Sequence, residues 1–259
     1  MKIATFNING IRARVEALAA WLDSAQPDIA LLQEIKTQDA GFPREIFEDR
    51  GYNVETHGQK SFNGVAILSK LPLEDVRRGL PGNEADEQAR WIEATVTGKR
   101  ALRICGLYLP NGNPAPGPKY DYKLEWMARL HTRAGELLAG EEAAVMAGDY
   151  NVIPQDSDAE NPEKWAEDAL ALPQSRAAFR RILHMGFTDA IATRRPGPGH
   201  YTFWDYQGGA WRRNDGIRID HALLTPQAAD LLVDAGIDTD VRASEKPSDH
   251  VPVWIELDA

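Results

Sequence analysis

What the 259-residue sequence has little of narrows its class first. It has one cysteine, Cys105, so no internal disulfide can staple the chain. Its setting in the apolar run "LRICGLYL" reads as a small core residue in a reducing compartment. No apolar run reaches the roughly 18 residues that a spanning helix needs, and the opening "MKIATFNINGIRA" lacks the basic-then-apolar build of a secretory signal. A cytoplasmic monomer with no membrane partner is expected. Internal repeats and low-complexity tracts are missing too. Hydrophobic residues at 43% and charged residues at 26% argue against a fibrous or disordered chain. One α/β domain spanning 1–259 is expected from the length. Cations are also scarce: 29 Lys and Arg stand against 39 Asp and Glu, for a net charge of −10. That balance excludes a polyanionic partner only if the cations are spread evenly. They are not. Residues 194–218 hold Arg194, Arg195, Arg212, Arg213 and Arg218 against Asp205 and Asp215, interleaved with Tyr201, Phe203, Trp204, Tyr206 and Trp211. Phosphate chains carrying stackable bases call for such a mixture.

Apolar patterning supplies the elements. "KIATFNI" and "DIALLQE" read as buried strands on either side of "ARVEALAAWLDSA", where Val15, Leu18, Ala19 and Leu22 follow the spacing of a helix face. Further strands are expected at "YNVETHG", "GVAILSK", "WIEATVT", "ALRICGLYLP", "AAVMAGDYN", "IDHALLT" and "VPVWIEL". Two long helices are expected, one over 118–139 and one over "SRAAFRRILHMGF", where Phe179, Ile182 and Leu183 face inward and Gly186 is the stop. Glycine- and proline-rich stretches at 110–118 and 195–200 are loops, since patterning resumes on both sides. Many strands with irregularly inserted helices suggest a sheet-on-sheet core flanked by helices.

Several strands stop at an acid, amide or hydroxyl: Asn7, Glu34, Tyr108 with Asn111, Asp149 with Asn151, Asp220 and Asp249. Any one could be a turn former or helix cap. Together, on one rim, their carboxylates would repel unless a cation or proton sat among them. Oxygen ligands without a cysteine cluster or paired histidines favour Mg²⁺, with Mn²⁺ as the alternative, over Zn²⁺. Mg²⁺ on one or two carboxylates points toward phosphoryl chemistry. The sequence also spells Asp–His twice, at Asp220–His221 and Asp249–His250.

"FNINGIRAR", "LQEIK", "HGQKSFNGVAILSK", "GLYLPNG", "GDYNV", "FWDYQ", "GIRIDH" and "EKPSDHVPV" occur in an order and spacing that resemble the exonuclease III family of DNA repair nucleases. That family lies within the endonuclease/exonuclease/phosphatase superfamily. The resemblance runs from Met1 to about Leu257. It implies an α/β four-layer sandwich, two mixed β-sheets packed face to face with flanking helices. It further implies that Glu34, Asn7 and Asp249 hold the metal, that Asp149 activates water, and that Asn151, Tyr108 and Asn111 contact phosphate. Asp220 would orient His250, and strand alternation would leave His221 structural. The implied activity is a Mg²⁺-dependent phosphodiesterase on double-stranded DNA with abasic sites or blocked 3′ ends. It would act as a 3′-to-5′ exonuclease, AP endonuclease and 3′-phosphatase, without a covalent intermediate. Phe203 and Trp204 would form the pocket for an abasic sugar with Ile217 in its wall, and Arg212 and Arg213 would hold flanking phosphates.

Departures occur at Tyr150, where relatives often carry an aliphatic residue, at Asn9, where some have an aspartate, and at Ile217, where some have a bulky aromatic. The acidic stretch 156–168 matches no motif. Two alternatives stay open: a superfamily phosphatase acting on inositol phosphates or sphingolipids, and a catalytically inactive DNA-binding relative.

Overall fold

Period-two alternation divides the strand side chains between two faces. In β1 (Lys2–Asn7), Ile3 joins a core shared with a second sheet, whereas Ala4 and Phe6 join one shared with helix α1 (Ile11–Ala25). The computed structural model describes residues 1–259 and contains two six-stranded sheets. The first comprises β1, β2 (Ile29–Gln33), β3 (Asn53–His57), β4 (Val65–Ser69), β11 (Leu232–Ile237) and β12 (Val253–Leu257), ordered β11-β12-β1-β2-β4-β3. The second comprises β5 (Glu74–Arg78), β6 (Trp91–Thr97), β7 (Ala101–Tyr108), β8 (Ala144–Asp149), β9 (Thr188–Asp189) and β10 (Asp220–Leu224), ordered β5-β6-β7-β8-β10-β9. Ile3, Ile29, Leu31 and Val65 meet Ile92, Leu102, Ile104 and Val145 between the sheets. Helix α1 covers the outer face of the first sheet, and α2 (Arg44–Glu48) packs on β3. The outer face of the second is covered by α3 (Pro118–Ala139) and α4 (Pro173–His184), with short α5 (Ala190–Arg194) and α6 (Pro226–Ala229) at its edge. This is the expected four-layer sandwich of two mixed sheets.

Each sheet contains one parallel pair, β1 with β2 across α1 and β7 with β8 across α3. A parallel pair needs a crossover, so both of its strands end on the same rim. β10 runs antiparallel to β8 and begins there, with Asp220 opposite Asp149, and β12 enters beside β1. Gly148 lets β7 and β8 approach: a Cβ there would lie 1.9 Å from the Leu107 carbonyl oxygen.

The nine expected strands and the long helices form, and three strands were not foreseen. β5 is an exposed, charge-rich edge strand, β9 spans two residues, and β11 carries an irregularity between Leu232 and Asp234. None presents the apolar alternation by which a strand is read from sequence. Helix α4 buries Phe179 and Ile182 and stops just before Gly186, whose φ of 119° suits glycine.

Candidate active site

The alternation that fills the core also places its polar ends. On the inter-sheet face, Ile3 and Thr5 lead to Asn7, Val145 and Ala147 lead to Asp149, and Asp220 precedes Ala222 and Leu224. Asn7 bridges the two sheets: its Nδ2 donates to Glu34 Oε1 at 3.0 Å and to Asp149 Oδ2 at 2.9 Å. Asp149 Oδ1 accepts the Asn151 backbone N–H at 2.8 Å. His250 Nδ1 lies 2.8 Å from Asp220 Oδ2, and its Nε2 lies 3.6 Å from Asp149 Oδ2. Thr202 Oγ1 donates to Asp220 Oδ2 at 2.6 Å and accepts two backbone N–H groups, fixing that carboxylate. The Asp220–His221 spelling resolves as alternation requires. His221 points to the opposite face, packs against Phe179 and Tyr150, and bonds to Arg218 and the Val152 carbonyl.

The floor stores charge and backbone strain. Burial pushes the Asp149 carboxyl well above the usual range, with the nearby His250 opposing and Asp220 reinforcing the shift. Burial alone would lower the His250 pKa, but the Asp220 and Asp149 carboxylates override it and hold the ring protonated. Tyr108 is pushed above its ordinary value by burial and by Glu34 and Asp149, with the Arg90 guanidinium 4.8 Å over its ring opposing. Burial would raise Glu34 as well, yet Lys36, at 2.8 Å, and Asn7 hold it low. Asn9, Glu34, Lys36 and Asn151 all have left-handed φ values, between 46° and 52°. For Glu and Lys that region is uncommon, and such strain tends to collect at functional sites.

A divalent cation fits this donor set by chemistry. The tightest group of ligand atoms is Asp149, Asp220 and His250, within 4.8 Å of one another. A protonated His250 has no lone pair to offer, however, and it already compensates those two acids. Glu34 and Asp249 are covered by Lys36, by the Asn7 and Asn9 amides and by the Ser248 hydroxyl, with Asn9 Nδ2 donating to Asp249 Oδ1 at 3.0 Å. Asn7 Oδ1 accepts the Asn9 N–H, so the Asn7 amide turns its N–H toward the acids. In this arrangement Asn7 orients Glu34 and Asp149 by donating to both.

The chain matches the Endonuclease/Exonuclease/phosphatase family over residues 4–250. It is 37% identical to the exodeoxyribonuclease III of Haemophilus influenzae, over 99% of this chain and 100% of that one. It belongs to the exonuclease III family. Two solved structures agree, each 38% identical and covering 100% of both chains. They are an AP endonuclease from Archaeoglobus fulgidus at a TM-score of 0.94 and a Neisseria 3′ phosphatase bound to product DNA hairpin at 0.95. As a member of the exonuclease III family, the chain is a phosphodiester hydrolase.

Around this exonuclease III floor the rim differs from the sequence reading. A cavity of about 370 Å³ is lined by Phe203, Trp165, Asp168, Ala210 and Arg213, among others. Phe203 stands with its ring 5.0 Å from that of His250. Trp204 does not line it. Only 2% exposed, it packs with Tyr201, Ala210 and Val251 and donates to Asn214, so its expected place in the pocket is corrected to core. Ile217 is likewise buried beneath Phe203. The arginines separate too. Arg218 is buried between Asp158 and Asp189, each at 2.7 Å, while Arg194 and Arg195 bond to Leu232 and Asp234 on β11. Arg212 and Arg213 are exposed, as is Arg194 beside its carbonyl partner, and Arg213 also meets Asp215 at 3.4 Å. The acidic stretch supplies Asp158 to Arg218, and Trp165 and Asp168 to the cavity.

Sequence reasoning missed three groups and gave a fourth, Tyr206, no role of its own. Arg12, Lys36, Lys60 and Ser61 line a second cavity, and Phe62, next to Ser61 in sequence, is 68% exposed. Tyr206 accepts from Arg14 and donates to the Pro247 carbonyl, with Arg242 5.0 Å from its ring. Arg90 braces Tyr108. Lys123 is wholly buried beneath Asn111 and Asn151. The "GQKSFNG" motif held the signal for Lys60 and Phe62. Lys123 and Arg90 left no local signal.

Proposed function

We propose that the protein is a Mg²⁺-dependent DNA repair phosphodiesterase. It would remove nucleotides from the 3′ ends of duplex DNA, cut on the 5′ side of abasic sites and clear 3′ phosphates, acting as a cytoplasmic monomer. The observation that carries this reading is the cavity at Phe203, directly beside the Asp220–His250–Asp149 floor. A sugar without its base leaves the stack at lower cost than an intact nucleotide, and a compact pocket walled in part by Phe203 and Trp165 admits it while excluding bases by size. The names of the AP endonuclease and DNA-bound 3′ phosphatase relatives support the same substrate class. No helix is long and apolar enough to cross a membrane.

Asp149, made proton-hungry by burial, accepts the proton of the attacking water. His250, oriented through Nδ1 by Asp220, presents its Nε2–H to a phosphate oxygen. Asn151 and Asn111, linked by a 3.1 Å amide hydrogen bond, hold the neighbouring oxygens, and Tyr108 stays protonated as a further donor. A Mg²⁺ held by Glu34 and Asp249 would compensate charge on the phosphate. A three-substrate assay tests this reading: an abasic duplex, 3′-labelled DNA and inositol bisphosphate, each with and without EDTA. The first two should be cleaved only without EDTA. Turnover of inositol bisphosphate alone would favour the phosphatase reading, and binding without turnover would favour an inactive relative.

A further inference from the structure

Lys123, on α3, is fully buried, and no carboxylate hydrogen-bonds to it. Its Nζ donates to the backbone carbonyl oxygens of Asn151 at 2.6 Å and Asn111 at 3.0 Å. These two residues come from different loops, one following β7 and the other β8, and no backbone hydrogen bond joins Asn111 to Asn151. Above the lysine, Asn111 Nδ2 donates to Asn151 Oδ1, and Asn151 Nδ2 donates to the Leu109 carbonyl oxygen. The loop after β7 is shaped to admit the lysine. Gly112 has φ of 92°, and a Cβ there would stand 2.7 Å from Lys123 Cδ and 3.2 Å from Ala169 Cβ.

A lysine is an expensive way to fill this space. Burial drives its pKa down to about 7, with only Asp149 and Asp168 opposing at a distance. An apolar side chain of similar length would avoid that cost. What it would not do is bond to both carbonyls. Charged or neutral, the amine keeps at least two N–H groups, enough for both acceptors.

We propose that Lys123 is a positioning residue, whose buried amine ties together the loops carrying Asn111 and Asn151 so that both side-chain amides meet the same phosphate. The proposal rests on the phosphodiesterase reading above. Its place is at one remove from the reaction: Lys123 sets the geometry of two groups that touch substrate and touches none itself.

The test is a double-mutant cycle. Wild type, Lys123→Met, Asn151→Ala and the double variant are compared in single-turnover cleavage of an abasic duplex with Mg²⁺. DNA affinity is measured by anisotropy in EDTA, and circular dichroism follows the fold. Lys123→Met should slow cleavage by about 10-fold or more while changing Kd by less than about 3-fold. In the Asn151→Ala background the same change should cost clearly less than in the wild-type background, because one of the two groups it positions is gone. If Lys123→Met fails to fold, Lys123→Gln, which keeps an N–H donor, takes its place in the cycle. Equal slowing in both backgrounds, no slowing at all, or failure of both variants to fold would overturn the proposal, the last by making Lys123 a residue of the fold. A wild type that cannot cut the abasic duplex sinks the phosphodiesterase reading itself. A cutting wild type with an indifferent Lys123→Met sinks this inference alone.

Discussion

The catalytic floor and the segment 194–218 are built on opposite terms. In the floor, Asn7, Glu34, Asp149, Asp220 and His250 sit at strand ends or just beyond, and each is held by side-chain hydrogen bonds to another member or to Thr202. In the segment, residues of one chemical type meet different fates. Arg218 is buried in a double ion pair and Arg212 is exposed, and Trp204 is core while Phe203 edges a cavity. Strand alternation decides on which face a side chain lies, whereas a loop side chain goes wherever its tertiary partners take it. Groups in the floor should therefore respond to substitution in turnover, and groups in the segment in affinity or stability.

The sharpest test of that contrast pairs the two histidines. His250→Ala should lower kcat on an abasic duplex by about 10²–10⁴-fold, the scale for a positioned proton donor or oxyanion partner. His221→Ala should leave kcat nearly unchanged and destabilise the fold by about 1–3 kcal/mol in urea titration, because the Val152 carbonyl loses its partner. Reversed magnitudes would erase the distinction between the two Asp–His spellings. Glu34→Gln comes next. Turnover at saturating Mg²⁺ should fall by about 10²-fold with DNA affinity largely kept, since phosphate contacts survive; equal turnover would remove Glu34 from metal binding.

Phe203→Ala should cost about 10-fold in abasic-site incision and much less in release of a simple 3′-phosphate, which needs no sugar in the cavity. Parallel losses, with the fold intact, would class Phe203 with Trp204. A buried charge in the floor offers a smaller, pH-dependent effect. The folded chain releases the Lys123 proton near pH 7, whereas the unfolded chain keeps it to the ordinary value of 10.5. Between those values the unfolded state binds more protons, so wild-type stability should rise with pH relative to Lys123→Met, with the full penalty present below pH 7. Melting curves of both proteins at pH 6 and pH 9.5 read this directly, and a constant difference would mean that Lys123 titrates normally. The smallest effect belongs to the rim. Arg212→Ala or Arg213→Ala should weaken binding a few-fold on every sequence alike and flatten the salt dependence of Kd by about one phosphate contact. An unchanged salt slope would mean that neither arginine meets DNA.

Most of the fold and the floor was legible in the sequence for one physical reason: alternating apolar residues announce a strand and also determine which face its polar last residue joins. β1, β7, β8 and β10 all announce themselves in this way, and so do Asn7, Tyr108, Asp149 and Asp220. What stayed illegible depends on contacts distant in sequence. β5 and β11 are strands by virtue of their neighbours rather than of apolar pattern. Trp204 and Phe203 are adjacent aromatics, and nothing local says that one packs against Tyr201 and the other reaches His250. Lys123 looks like an ordinary polar residue on a helix until the loops after β7 and β8 close over it.

The pairing of β1 with β12, Lys2 opposite Glu256, has a consequence during synthesis. β1 leaves the ribosome long before β12, so its second edge stays uncovered until β12 has been made, and Ser248, Asp249 and His250 arrive just ahead of that covering strand. Such long-range closure makes folding slow and leaves a strand edge open meanwhile. It also means that a growing chain holds Asn7, Glu34 and Asp149 without the histidine between its two acids.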